Sequence, residues 1–239
     1  METHLLKSLV IGLIVSVLFE GCATSTTPYR ESYPAGQPKV TGQTRPSSDG
    51  TPVPVGHWVH WFENGKKESE GSLVDGLQHG NWKAWNAQGI LILDGYYDQG
   101  KESGRWLSYY DSGQEHFSGH FHDGQENGPW VYRHPSGHKS MEGRFKNGDW
   151  DGPWILYYPN GKKRTRATYA DGSLHGHHII WHQNGVKQSE GVYDMGKKQG
   201  PWKSWHDNEK LSSSGTMLRG KPLDDYQCWN QKGDLTDCP

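Results

Sequence analysis

The stretch Gly152–His175, GPWILYYPNGKKRTRATYADGSLH, decides how the rest of the chain is read. It opens on a glycine, places Trp154 third and Tyr157 sixth, turns at Asn160-Gly161 and turns again at Asp171-Gly172. Asn-Gly and Asp-Gly supply the positive φ that two-residue hairpin turns require. Aromatic and β-branched residues between the turns suit a pleated, half-buried strand. The glycine turns leave no run long enough for a helix. The unit therefore predicts strand, tight turn, strand and a glycine-rich connection.

These marks recur every 24 residues, with units opening at Gly56, Gly80, Gly104, Gly128, Gly152, Gly176 and Gly200 and a truncated unit near Asp224. The third position reads Trp58, Trp82, Trp106, Trp130, Trp154, His178, Trp202 and Tyr226. The sixth reads Trp61, Trp85, Tyr109, Arg133, Tyr157, Trp181, Trp205 and Trp229. A glycine in the second strand, such as Gly71, Gly119 or Gly143, clears room for a large ring to lie across it. A fixed period of this length means a stacked array of identical supersecondary units. The predicted fold is all-β, a single-layer antiparallel β-meander of about eight 24-residue hairpin repeats, about 75 Å long at the usual strand spacing. In a regular strand the third and sixth positions point to opposite faces. Either a bulge brings both rings to one side, or both faces carry aromatics.

The pattern resembles the MORN-repeat family, in its bacterial variant with Gly-(Pro)-Trp, Tyr/Trp and Asn-Gly marks, over residues 56–239. That resemblance implies a single-layer meander serving as a scaffold, a membrane-associating module or a protein-binding surface, and some bacterial relatives are labelled antitoxins. His178 and Arg133 depart from the aromatic marks, Ala167 from the glycine, and Glu209 from the turn glycine. Such units are expected to be weaker, or to be places where function has displaced structure.

Residues 1–21 read as an export signal, with Lys7 before an apolar run, Leu9–Phe19, that is too short to span a bilayer comfortably. The run ends in Leu18-Phe19-Glu20-Gly21-Cys22, similar to a bacterial lipobox, although Phe19 and Glu20 depart from it. The resemblance implies acylation of Cys22. More than one acyl chain would hold the chain stably at a membrane. Ala23 after the cysteine, by similarity to Gram-negative lipoproteins, implies the outer membrane. Residues 22–55 are rich in Ser, Thr, Pro and Gly and nearly free of aliphatic residues, so a disordered tether is expected, with a reach of about 30 Å. The repeat domain is expected to span residues 56–239.

Composition fits a thin sheet: 32 glycines, 12 tryptophans and a mean hydropathy of −0.92 do not describe a globule with a large aliphatic core. A formal net charge of −2 gives no global pull toward nucleic acid or anionic membrane. Cys228 and Cys238 flank Lys232-Gly233 in the last unit, where a hairpin would bring them within bridging range. A disulfide there would suit an exported protein and pin the hairpin most prone to fray. Two free thiols are the alternative.

Catalytic motifs are missing: no Gly-x-Ser-x-Gly, His-Glu-x-x-His or Gly-Lys-Ser/Thr occurs. His175, His177, His178 and His182, or His120 and His122 with His116 or His138, do not form zinc's usual tetrahedral set. Asp149-Trp150-Asp151-Gly152 lacks the glutamate of a calcium loop. Neither enzyme activity nor a metal or other cofactor is expected. Trp150 lies off the repeat's consensus and is the first candidate contact residue. Lys162, Lys163, Arg164 and Arg166 form the concentrated basic stretch, with Lys162, Arg164 and Arg166 expected on one strand face. Its two readings are a solvated face and a contact with an anionic lipid, lipopolysaccharide phosphate or acidic partner. The export signal argues against nucleic acid. The expected function is a lipid-anchored scaffold for a protein partner in the cell envelope. The alternative is a glycan-, lipopolysaccharide- or phospholipid-binding module, and an immunity-type protein ranks behind both.

Overall fold

The computed structural model describes residues 25–238, so the export signal and Cys22 lie outside it. The described residues form twenty strands in one open antiparallel sheet, with no helix. Successive strands pair in sequence order, giving the expected meander, except that the two-residue strands Gln125–Glu126 and Lys221–Pro222 pair only with the strand before them, which pairs onward with the strand after. Between units the chain turns through Asp75, Gln99, Asp123, Asn147, Asp171, Met195 and Arg219, at φ between 45° and 54°, each followed by a left-handed glycine. Two successive positive φ values make the turn whose twist matches that of the strands it joins.

The ladder bulges once in each hairpin. In the strands Asp149–Tyr157 and Lys163–Ala170, Leu156 opposes Thr165 and Tyr157 opposes Lys163, leaving Arg164 as the extra residue. Within the hairpin the extra residue falls in the second strand, so the third and sixth side chains of the first point to opposite faces. A second shift, where the first strand meets the preceding unit, lies between Asp151 and Ile155 at the left-handed Gly152. Both faces therefore carry aromatics, which resolves the two alternatives left by the sequence.

The core is built without a second layer. Each third-position tryptophan lies flat on the preceding strand, over a glycine; a methyl group at Gly143 would stand 2.1 Å from Cδ2 of Trp154, and one at Gly119 equally close to Trp130. The indole N–H of Trp154 donates to the Arg144 carbonyl at 3.1 Å, and Trp82, Trp106, Trp130 and Trp202 repeat the bond one unit apart. Bulky residues two past the glycine wedge edge-on between the indoles. Tyr97–Trp106, Trp106–Phe121, Phe121–Trp130, Trp130–Phe145 and Phe145–Trp154 run at 5.0, 5.4, 5.1, 5.6 and 4.9 Å between ring centres. The result is near-complete burial on an open sheet: Trp154 is 0 % exposed and Trp106 and Trp130 are 2 %. Edge-to-face contacts of this kind add about 0.5–1.5 kcal/mol each beyond area burial.

The array starts earlier than expected. The segment read as a disordered tether holds the strands Thr27–Ser32 and Pro38–Pro46, the second paired with Pro52–Trp61. Tyr29 opposes Gly42 as Trp58 opposes Gly71, and the Trp58 ring covers Gly42. Tyr33 donates its hydroxyl to the Trp61 carbonyl, as Tyr110 and Tyr158 do to Arg133 and Trp181. This is a further repeat whose closing connection, through the turn at Ser47–Thr51, is five residues longer, so that it opens 29 rather than 24 residues before Gly56. It needs few aliphatic residues of its own because Trp58 of the next unit covers it.

Candidate functional site

The two faces of the sheet differ in what they leave accessible. The third-position indoles are buried, whereas every sixth-position side chain from Trp61 to Trp229 is half-buried. The latter form a row that recurs once per hairpin, on the face opposite the indole stack.

A charged ladder accompanies that row. Lys67 pairs with Glu70 at 2.5 Å, Lys139 with Glu142 at 2.6 Å and Lys187 with Glu190 at 2.7 Å. The Lys67 and Lys187 ammonium groups lie 5.7 and 5.9 Å from the ring centres of Trp85 and Trp205, within cation–π range. Glu142 also accepts the Tyr157 hydroxyl. Burial opposes the ionisation of Glu142, but the bonds from Lys139 and Tyr157 outweigh it and hold the carboxyl below its usual range. Burial, reinforced by Glu142, pushes the Tyr157 hydroxyl up to about 12. Arg133, the departure from the aromatic marks, is explained here: it pairs with Glu115 at 3.2 Å.

The basic stretch is exposed but does not lie on one face as expected. Lys162 precedes the strand, and its Nζ donates to the Asn184 carbonyl at 2.9 Å, part of a tie between turns that Lys66 and Lys210 also make. Arg164 is the bulge residue, which breaks the alternation the sequence implied. Lys163 opposes Tyr157, and Arg166 sits between Ile155 and Ile179 on the flanking strands. Among the described residues, none of these four cations is in an ion pair.

Trp150 is not the free ring the sequence suggested. It stacks on Trp154 at 4.1 Å and 13°, and meets Phe145 and Tyr169 edge-on. One unit pair later, Lys198 takes the same place over Trp202, at 4.4 Å. This position caps the open side of the indole below it, and Trp150 caps the most buried one.

His178 and Ala167 depart from the consensus together because they face each other across one pair of strands. A methyl group where other units have glycine leaves no room for an indole, and the smaller imidazole fills the slot. The His178 ring packs against Tyr193 at 5.1 Å, but its buried Nδ1 has no hydrogen-bond partner. Burial, then the nearby Lys198 charge, lowers its proton affinity. The spacing of the motifs showed two departures; their being neighbours needed the strand register.

Cys228 and Cys238 form a disulfide, with Cα atoms 5.2 Å apart, across the last hairpin. Cys22 lies outside the described residues. No group of three or more His, Cys, Asp or Glu residues converges as a metal site among the described residues. An open depression of about 550 Å³ lies beside Trp205, His182 and His206. His182 and His206 each use Nε2 on a backbone carbonyl, Trp205 and Trp229 respectively, at 2.9 Å.

Residues 54–75 and 150–171 match the family model described as the MORN repeat variant. The second match contains most of the unit quoted at the outset, and the first contains most of the first unit of strict 24-residue period. Comparison with curated proteins gives no match. Repeat folds of this all-β type are typically non-catalytic scaffolds.

Proposed function

We propose that this array, which carries MORN repeat variants at two places, is a membrane-anchored, non-catalytic scaffold that presents an aromatic face to a protein partner in the cell envelope. One observation carries the reading: the row of half-buried side chains from Trp61 to Trp229 lies on a face that no second layer of the described residues covers. Tryptophan, tyrosine and arginine are the residues that dominate binding hot spots, and they make up this row. Acylated Cys22 supplies the anchor in this reading. The disulfide suits an oxidising compartment such as the periplasm.

The test is crosslinking in intact cells followed by capture of the tagged chain, with Cys22→Ala as control. One protein recovered in near-stoichiometric amount, together with release of the Cys22→Ala variant from the membrane fraction, supports the proposal. A variant that stays in the membrane pellet removes the anchor. Recovery of no partner, with binding to purified cell wall or phospholipid vesicles instead, replaces the protein scaffold by a glycan- or lipid-binding module.

A further inference from the structure

One unit fills both slots of the charged ladder with cations, whereas the units opening at Gly80 and Gly200 place Leu91 and Leu211 in the lysine slot. The units opening at Gly56, Gly128 and Gly176 set a lysine against a glutamate three residues on, beside the next unit's ring. The pair Glu115–Arg133 keeps the opposite charges with the cation moved into the ring slot. In the unit opening at Gly152, Lys163 fills the lysine slot and Arg166 fills the glutamate slot. Two cations therefore stand where three other units place a cation and a carboxylate in contact. The neighbouring carboxylates are already engaged, Glu142 by Lys139 and Tyr157 and Glu190 by Lys187.

We propose that the slot formed by Lys163 and Arg166 beside Trp181 receives a glutamate- or aspartate-rich segment of a protein partner, whose carboxylate takes the place Glu70, Glu142 and Glu190 hold elsewhere. The inference rests on the scaffold reading and names the chemistry of its partner. The template favours a carboxylate: the same slot holds one in three units, at 2.5–2.7 Å from a lysine. Ile155 and Ile179, which oppose Arg166 on either side, offer apolar flanks to the methylenes of an acidic side chain. Complementary charge of this kind steers encounter and fixes register more than it adds raw affinity.

Binding of a fluorescein-labelled oligoglutamate to the full chain, followed by anisotropy at low salt, tests the slot against an oligoglutamine of equal length. The glutamate peptide is expected to bind and the glutamine peptide not. Arg166→Glu recreates the internal pair with Lys163, and is expected to weaken binding about tenfold or more without lowering the melting temperature. Lys162→Gln with Arg164→Gln changes the net charge by the same amount outside the slot, and is expected to weaken binding by less than about threefold. Should Arg166→Glu unfold the chain, Arg166→Gln gives the intermediate loss. Unchanged binding by the Arg166 variants, equal losses for both sets, or binding of phosphatidylglycerol vesicles in place of the peptide overturns the proposal. Capture of a partner that survives Arg166→Glu overturns the slot alone and leaves the scaffold standing.

Discussion

At the scale of single residues, the array depends on what lies beneath each indole. Glycine at Gly143 or Gly119 is required by contact, because the ring occupies the space a Cβ would need. Ala167 and His178 are the natural exception, and their interdependence can be measured. His178→Trp alone forces an indole onto a methyl group and should destabilise by about 1–3 kcal/mol. Combined with Ala167→Gly it restores the consensus, and the double variant should melt at or above the wild type. A coupling energy of about 1–3 kcal/mol in the cycle is expected; simple additivity would mean the two residues do not share a slot. The same site sets a pH dependence. Because His178 binds a proton less readily in the folded chain than free imidazole does, the unfolded chain takes one up first as pH falls below about 6.5. Stability is therefore full above that value, declines toward the lowered folded pKa and levels off beneath it. His60 and His116 are lowered by burial as well and add to the decline. Melting temperatures measured from about pH 8 to about pH 5 should fall for the wild type, and fall less for the double variant.

At the scale of the element, the hairpin was legible because its turn chemistry is local. Asp171-Gly172 adopts the two positive φ values its dipeptide announces. At Asn160-Gly161 only the glycine does, within a longer turn closed by the Gly161 N–H on the Tyr158 carbonyl; the regular spacing of Trp154 and its counterparts did the rest. Three features were not legible. The bulge at Arg164 depends on how two strands align, which no single strand encodes. Trp150 reads as a surplus ring until Trp154 is placed beneath it. The first repeat hid behind a five-residue insertion, although Tyr29, Tyr33, Gly36 and Gly42 carry its marks at the correct internal spacing. The last hairpin makes the opposite point. Two short strands, Gln227–Trp229 and Leu235–Thr236, close the sheet among the described residues, and a disulfide ties Cys228 in the first to Cys238, two residues past the second. Replacing Cys228 and Cys238 by serine should speed amide exchange in these strands, while the amides of the middle units keep their protection. Equal loss along the chain would mean that the array unfolds as one block.

At the scale of the molecule, nearest-neighbour packing explains how a polar, glycine-rich chain holds a sheet of twenty strands. Each unit is covered by the next, so the indole stack runs along one face and leaves the half-buried rings on the other. The fold and the residues of both aromatic rows could be read from the sequence. The division of labour between the rows could not, because it follows from burial. The most direct test of the account places a photoreactive side chain at Lys203 and, separately, at Ser204, adjacent residues of one strand that point to opposite faces. Leu107 and Ser108 provide the matching pair near the middle of the array. Irradiation of intact cells should give an adduct with a single envelope protein from Lys203 or Leu107, on the face of the half-buried rings, and none from Ser204 or Ser108. Adducts from the indole face alone, from both faces equally, or from no position would contradict it.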